Sequence, residues 1–268
     1  MPSPTAKDSL VTIGIAFLVI LAANALVALV LGLSSGDFSA DPARIAGPGL
    51  VVQGICMLAF VVHVAARTDD GAVRALGAGP ATRWWLVPLI VPAGLLSDLL
   101  IQELARLAPV LDQGGLDALS DALGNQQVWI LVGAVGLAPF YEELLFRGLA
   151  WRGFERSLGR WPALLLTSVL FAAFHGDPLH VAGVFVLGLW LGWIRMATGS
   201  VVPSIAAHLI NNLSWALLGG TLPIESLPRW AALPCLLLLV GGAALSLKPP
   251  SASPSSPPPP AAPGAPGP

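Results

Sequence analysis

Long apolar blocks separated by short polar stretches mark out eight candidate membrane spans, at about residues 10–33, 46–66, 85–105, 127–146, 161–175, 179–197, 201–218 and 229–247. A helix needs about 20 mainly apolar residues to cross a bilayer. The blocks at 161–175 and 201–218 are short and carry polar residues, so seven spans or a re-entrant segment also fit the pattern. Pro88 and Pro92 interrupt the third block, Pro139 the fourth, and Pro203 opens the seventh; proline inside a helix removes a backbone hydrogen bond and bends the axis. Pro139 lies three residues before Glu142, where it either opens a local pocket or is a tolerated kink. The first block follows Lys7 and continues to Leu33, longer than the 7–15 residues or so of the apolar region in a secretory signal, so it reads as a retained span. From Lys248 to Pro268 the chain turns to Pro, Ala, Ser and Gly with no aromatic residue. Such a segment cannot offset its ordering entropy, so residues 248–268 are expected to form a disordered tail and 1–247 one transmembrane domain. No internal period and no matched pair of broken spans is present. The expectation is an all-α, polytopic transmembrane bundle of about eight spans.

Composition agrees: 55% of the 268 residues are hydrophobic and 10% charged, against about 25% charged in an average soluble domain. Net charge is −2 and no basic run occurs, so nucleic acid is not an expected partner. Cys56 and Cys235 both fall in predicted spans, where thiols are usually inert. With eight spans, one side of the membrane holds Lys7, Arg67, Arg74, Arg83, Arg147, Arg152, Arg156, Arg160, Arg195 and Lys248; the other holds Arg44, Arg106 and Arg229. Positive loops stay inside, so both termini are expected to be cytoplasmic and the loop with Asp112, Asp117 and Asp121 external. High Ala, Pro and Gly suggest a GC-rich bacterium and its cytoplasmic membrane.

Against this charge-poor background, residues 139–148 read Pro-Phe-Tyr-Glu-Glu-Leu-Leu-Phe-Arg-Gly. A carboxylate inside a span costs roughly 2.5 kcal/mol or more on insertion scales, which makes it a functional candidate that needs a partner. Glu143 and Arg147 are four apart and share a helix face, whereas Glu142 points about 100° away. One carboxylate can be neutralised while the other stays free. The plainer reading is an interfacial ion pair with Arg147 snorkelling to water. His175 ends a short apolar helix, and alone reads as a satisfied core or interfacial residue. His208 and Asn212 share a face in another span, and alone read as polar glue worth about 0.6 kcal/mol. Taken together, the three elements put two carboxylates, two imidazoles and an amide in three spans, and suit attack by water on a carbonyl inside an intramembrane cavity. A carboxylate or imidazole takes the proton, and neutral donors on His208 and Asn212 hold the oxyanion, worth roughly 2.7–4 kcal/mol per donor. Glu142, His175 and His208 could alternatively ligate zinc with Glu143 as base. The H-E-x-x-H spacing is absent, and no cofactor is assigned.

Glu142-Glu143-x-x-x-Arg147, Phe171-x-x-x-His175 and His208-x-x-x-Asn212, in that order on successive helices, resemble the three motifs of the CPBP (CAAX protease and bacteriocin-processing, or ABI) membrane endopeptidases. Leu187-Gly188-Leu189-Trp190-Leu191-Gly192, Thr198-Gly199-Ser200 and Pro203-Ser204-Ile205 are similar to that family's lead-in to the third motif. The resemblance covers a catalytic core of about 127–218. It implies an intramembrane endopeptidase with a cavity reached from the cytoplasmic side and a membrane-associated or prenylated-CAAX-like protein as substrate. By carry-over, Glu142 and His175 activate water without a metal, His208 and Asn212 stabilise the oxyanion, and Glu143 with Arg147 supports the site. A carrier, or a bacteriocin-immunity protein that binds through the same polar cluster, is the alternative. The predicted boundaries carry one tension. Glu142 falls about 22 Å from the outer face and His175 about 21 Å from the inner one, a depth difference of roughly 13 Å in a core of about 30 Å.

Overall fold

The computed structural model describes residues 4–36, 42–69, 71–111, 127–218 and 227–247, and every long element among them is helical. Eight rods follow the eight apolar blocks: α1 (Ala6–Ser35), α2 (Pro42–Ala66), α3 (Trp84–Leu107), α4 (residues 127–158), α5 (Arg160–Ala173), α6 (Pro178–Thr198), α7 (Val202–Leu218) and α8 (Arg229–Ser246). Five of them, α1, α2 from Ile45, α3, α6 and α8, are long and apolar enough to cross a membrane. Their outer faces carry large apolar side chains, such as Leu18 and Leu33 on α1 and Leu237 and Val240 on α8. Lipid is as apolar as leucine, so these faces need no protein cover. The protein is an integral membrane protein.

Polar residues mark the rod ends. Thr5 and Asp8 form a reciprocal cap on α1, which stops at Gly36 with φ 69°. Glu103 near the end of α3 pairs with Arg106 at 2.6 Å and with Arg229 at the start of α8 at 3.1 Å, tying those two ends together. At the opposite end Arg83 Nη1 donates to Ala197 O on α6. The expected acidic loop and the tail 248–268 lie outside the described residues.

α6 runs through the middle of the bundle, which its glycines permit. A Cβ on Gly183 would sit 2.5 Å from Ile101 Cδ1 of α3, one on Gly188 3.3 Å from the Ser168 backbone of α5, and one on Gly192 2.6 Å from Leu164 Cδ1. Gly188 and Gly192 are four apart and both meet α5; small residues at that spacing let helices in lipid approach backbone to backbone.

α4 runs past the expected end of the fourth span at residue 146 and continues without a break to Leu158. Only Gly159, at φ 91°, separates it from α5. The two helices therefore form a hairpin in which Phe146 meets Phe171 and Phe174 edge-on, with centroids 5.5 and 5.1 Å apart. Measured from this shared turn, Glu142 lies about 24 Å along α4 and His175 about 22 Å along α5. The depth mismatch disappears.

Candidate active site

α4 carries the carboxylates, and its backbone leaves α geometry twice, as π-helix over Ile130–Leu137 and Leu144–Ala150. Such i→i+5 segments are rare and cluster at functional sites. Each return to α geometry leaves a carbonyl that another helix satisfies. At the first, the Ala138 N–H bonds Gly133 O, and the next residue is Pro139, which has no N–H. Ala134 O instead accepts from Asn212 Nδ2 on α7 at 2.8 Å. At the second, the Trp151 N–H reaches Phe146 O and Gly148 O; Arg147 O, between them, accepts from Arg195 Nε on α6 at 2.9 Å. Glu142 and Glu143 occupy the α stretch Ala138–Glu143 between these two pinned turns.

Arg147 Nη1 donates to Glu143 Oε1 at 2.9 Å, and both side chains are 0% exposed. Arg147 Nη2 donates to Gly188 O at 2.9 Å, and its guanidinium carbon stands 4.3 Å from the Phe171 ring centre. A snorkelling Arg147 is therefore ruled out: the cation is held inside the protein by a carboxylate, a carbonyl and an aromatic face. His208 Nδ1 lies 3.1 Å from the same Glu143 Oε1. A carboxylate paired with arginine can only accept, so Nδ1 carries a proton and points it at Glu143. That orientation turns Nε2 towards Glu142, 3.8 Å from Oε2. His208 thus bridges one sealed carboxylate and one whose side chain is 15% exposed.

His175, just past α5, places Nδ1 3.0 Å from Phe171 O; the carbonyl can only accept, so Nδ1 carries the proton and Nε2 the lone pair. Its ring packs edge-on against Phe171 at 5.2 Å and His180 at 5.0 Å, and Phe171 also meets His208 at 5.6 Å. Glu142, Glu143, Arg147 and His208 thus form one polar cluster, His175 joins it through the Phe171 ring, and Asn212 sits one turn beyond His208 with one amide hydrogen on Ala134 O. Among the described residues no group of three His, Cys, Asp or Glu side chains that could hold a metal ion is present.

Three contributors escaped the sequence reading. Arg195 looked like a loop cation but is buried and braces α4. The Gly188 carbonyl carried no signal beyond the Gly-x-x-x-Gly spacing around it. Tyr141 was hidden beside the two glutamates it adjoins.

Residues 124–214 match the family model described as Type II CAAX prenyl endopeptidase Rce1-like. No curated protein and no solved structure matches the chain. The matched segment, about a third of the chain, contains the two irregular turns of α4 and the helices that pin them, and over it the chain is similar to the Rce1-like type II CAAX prenyl endopeptidases.

Proposed function

We propose that the protein is an intramembrane endopeptidase that hydrolyses a peptide bond in a membrane-associated or prenylated-CAAX-like protein, in the bacterial cytoplasmic membrane and without a cofactor. The observation that supports this most directly is the His208 bridge, anchored at Glu143 and facing Glu142 Oε2 across 3.8 Å. A water touching both atoms gives its proton to Glu142 as its oxygen attacks the carbonyl carbon. His175, with its Nε2 lone pair, assists as a second base. The tetrahedral oxyanion takes donors from Asn212, which keeps a second amide hydrogen, and from His208. Because His208 commits Nδ1–H to Glu143, it donates from Nε2 only as the imidazolium, with a carboxylate against each nitrogen. This departs from the neutral donor expected from the motif. Glu142 then returns its proton to the leaving amine, and Glu143 with Arg147 keeps His208 in place.

The test compares new peptide termini in membranes from cells expressing the wild type and the Glu142→Ala variant at matched levels. Termini present only with the wild type are expected, and they would name the substrate. Identical termini, with both proteins folded and inserted, would overturn the proposal in favour of transport or peptide binding.

A further inference from the structure

We infer that Tyr141 is a positioning residue for Glu142, and that α1 and α2 set the direction of the hydrogen bond it gives; this rests on the proposed role of Glu142. Tyr141 is the chain's only tyrosine and is 4% exposed. Gln53 Nε2 on α2 donates to its hydroxyl oxygen at 2.9 Å. Asn24 Nδ2 on α1 donates to Gln53 Oε1 at 3.0 Å. Neither of these bonds uses the phenolic proton, and the residue that adjoins Tyr141 in the chain is Glu142.

An amide can present either its oxygen or its nitrogen, so such a chain could run in either direction. Here one backbone group decides. Asn24 Nδ2 also donates to Ile20 O at 3.0 Å, and a carbonyl only accepts. Asn24 must therefore turn its NH2 towards Ile20 and Gln53; Gln53 must answer with its oxygen and turn its own NH2 to Tyr141; Tyr141, having accepted, has its single proton for Glu142. Run backwards, the chain would place the phenolic proton on Gln53 and leave Glu142 without it. Gly49 makes the arrangement fit, because a Cβ there would come 2.6 Å from Asn24 Oδ1. Asn24, Gly49 and Gln53 all lie outside the segment matched by the family model. With Oε2 of Glu142 facing His208, the bond from Tyr141 holds the carboxylate in that orientation.

Two readouts on the full-length protein in detergent test this. With ¹³Cζ-tyrosine incorporated, the chain gives a single tyrosine signal. That signal is expected to move in both Glu142→Gln and Gln53→Met, since the hydroxyl would bond both residues. In cleavage assays Tyr141→Phe and Gln53→Met are each expected to lower kcat about tenfold, the scale of losses at groups that orient a reacting residue, with KM within about twofold. The double variant should be no worse than the worse single one, because the chain acts as a unit. Gln53→Glu keeps the shape of Gln53 but offers Tyr141 an acceptor, so it should match Tyr141→Phe, whereas packing alone would spare it. A tyrosine signal unmoved by Glu142→Gln, or wild-type kcat in Tyr141→Phe, would overturn the inference. A wild-type protein that cleaves nothing would overturn the proposed function, and the tyrosine signal still decides the bond to Glu142.

Discussion

Glu143 and Arg147 are sealed from water and lipid alike, so each is tolerable only beside the other. Removing one member of such a pair leaves a buried charge uncompensated, at a cost of about 3–5 kcal/mol. Arg147→Met is therefore expected to lower the thermal midpoint in detergent sharply, read from the rate at which a dye reaches buried Cys235, and adding Glu143→Gln should recover most of that loss. A single variant that melts with the wild type would show that the pair contributes little. The pairing itself was legible in the sequence, because an i,i+4 spacing on a helix brings two side chains together wherever the helix lies. The depth of the pair was not. Apolar content falls after Phe146, so Arg147 read as the start of a loop, and only Gly188 O, Phe171 and Glu143, from three helices, show why a cation can stay inside. Which carboxylate His208 would anchor to was likewise beyond the motif, since it depends on how α7 lies against α4.

At the scale of elements, the hairpin of α4 and α5 and the glycine face of α6 place Phe171 between the imidazoles and under Arg147. Gly188 serves twice, giving its carbonyl to Arg147 and its missing side chain to the Ser168 backbone. Gly188→Ala forces α6 away from α5 by a few tenths of an ångström and is expected to cost about 1–3 kcal/mol, as overpacking does, with reduced cleavage. Gly241→Ala on α8, where an added Cβ meets nothing within 4 Å, should leave both unchanged. Equal behaviour of the two variants would remove the close approach from the account. Helix positions were legible from apolar blocks, but the length of α4 was not, because Arg152, Glu155 and Arg156 end the hydrophobic signal while helical bonding continues; Trp151 Nε1 donates to Glu155 one turn on, at 3.0 Å. The π segments had one trace in the sequence, Pro139, whose missing N–H coincides with the first return to α geometry.

Across the whole molecule, the order of rods brings the Glu103–Arg229 contact to one end and the Arg83–Ala197 contact to the other. Of the ten cations assigned to the cytoplasmic side, Arg147 and Arg195 are buried within the bundle, which leaves eight against three. The bias keeps its sign. In a background lacking Cys56 and Cys235, an impermeant thiol reagent on intact cells is expected to label Arg229→Cys and to spare Arg156→Cys; the reverse pattern would invert the topology. The Gly159 turn has a further consequence. Glu142 stands 16 residues back from Leu158, about 24 Å, so under the proposed function a polypeptide entering alongside the hairpin would run extended for about seven residues, at roughly 3.3 Å each, before its bond met the carboxylate. On that proposal the hairpin is a ruler, which would admit frayed tails of sufficient reach and pass over termini that stay folded.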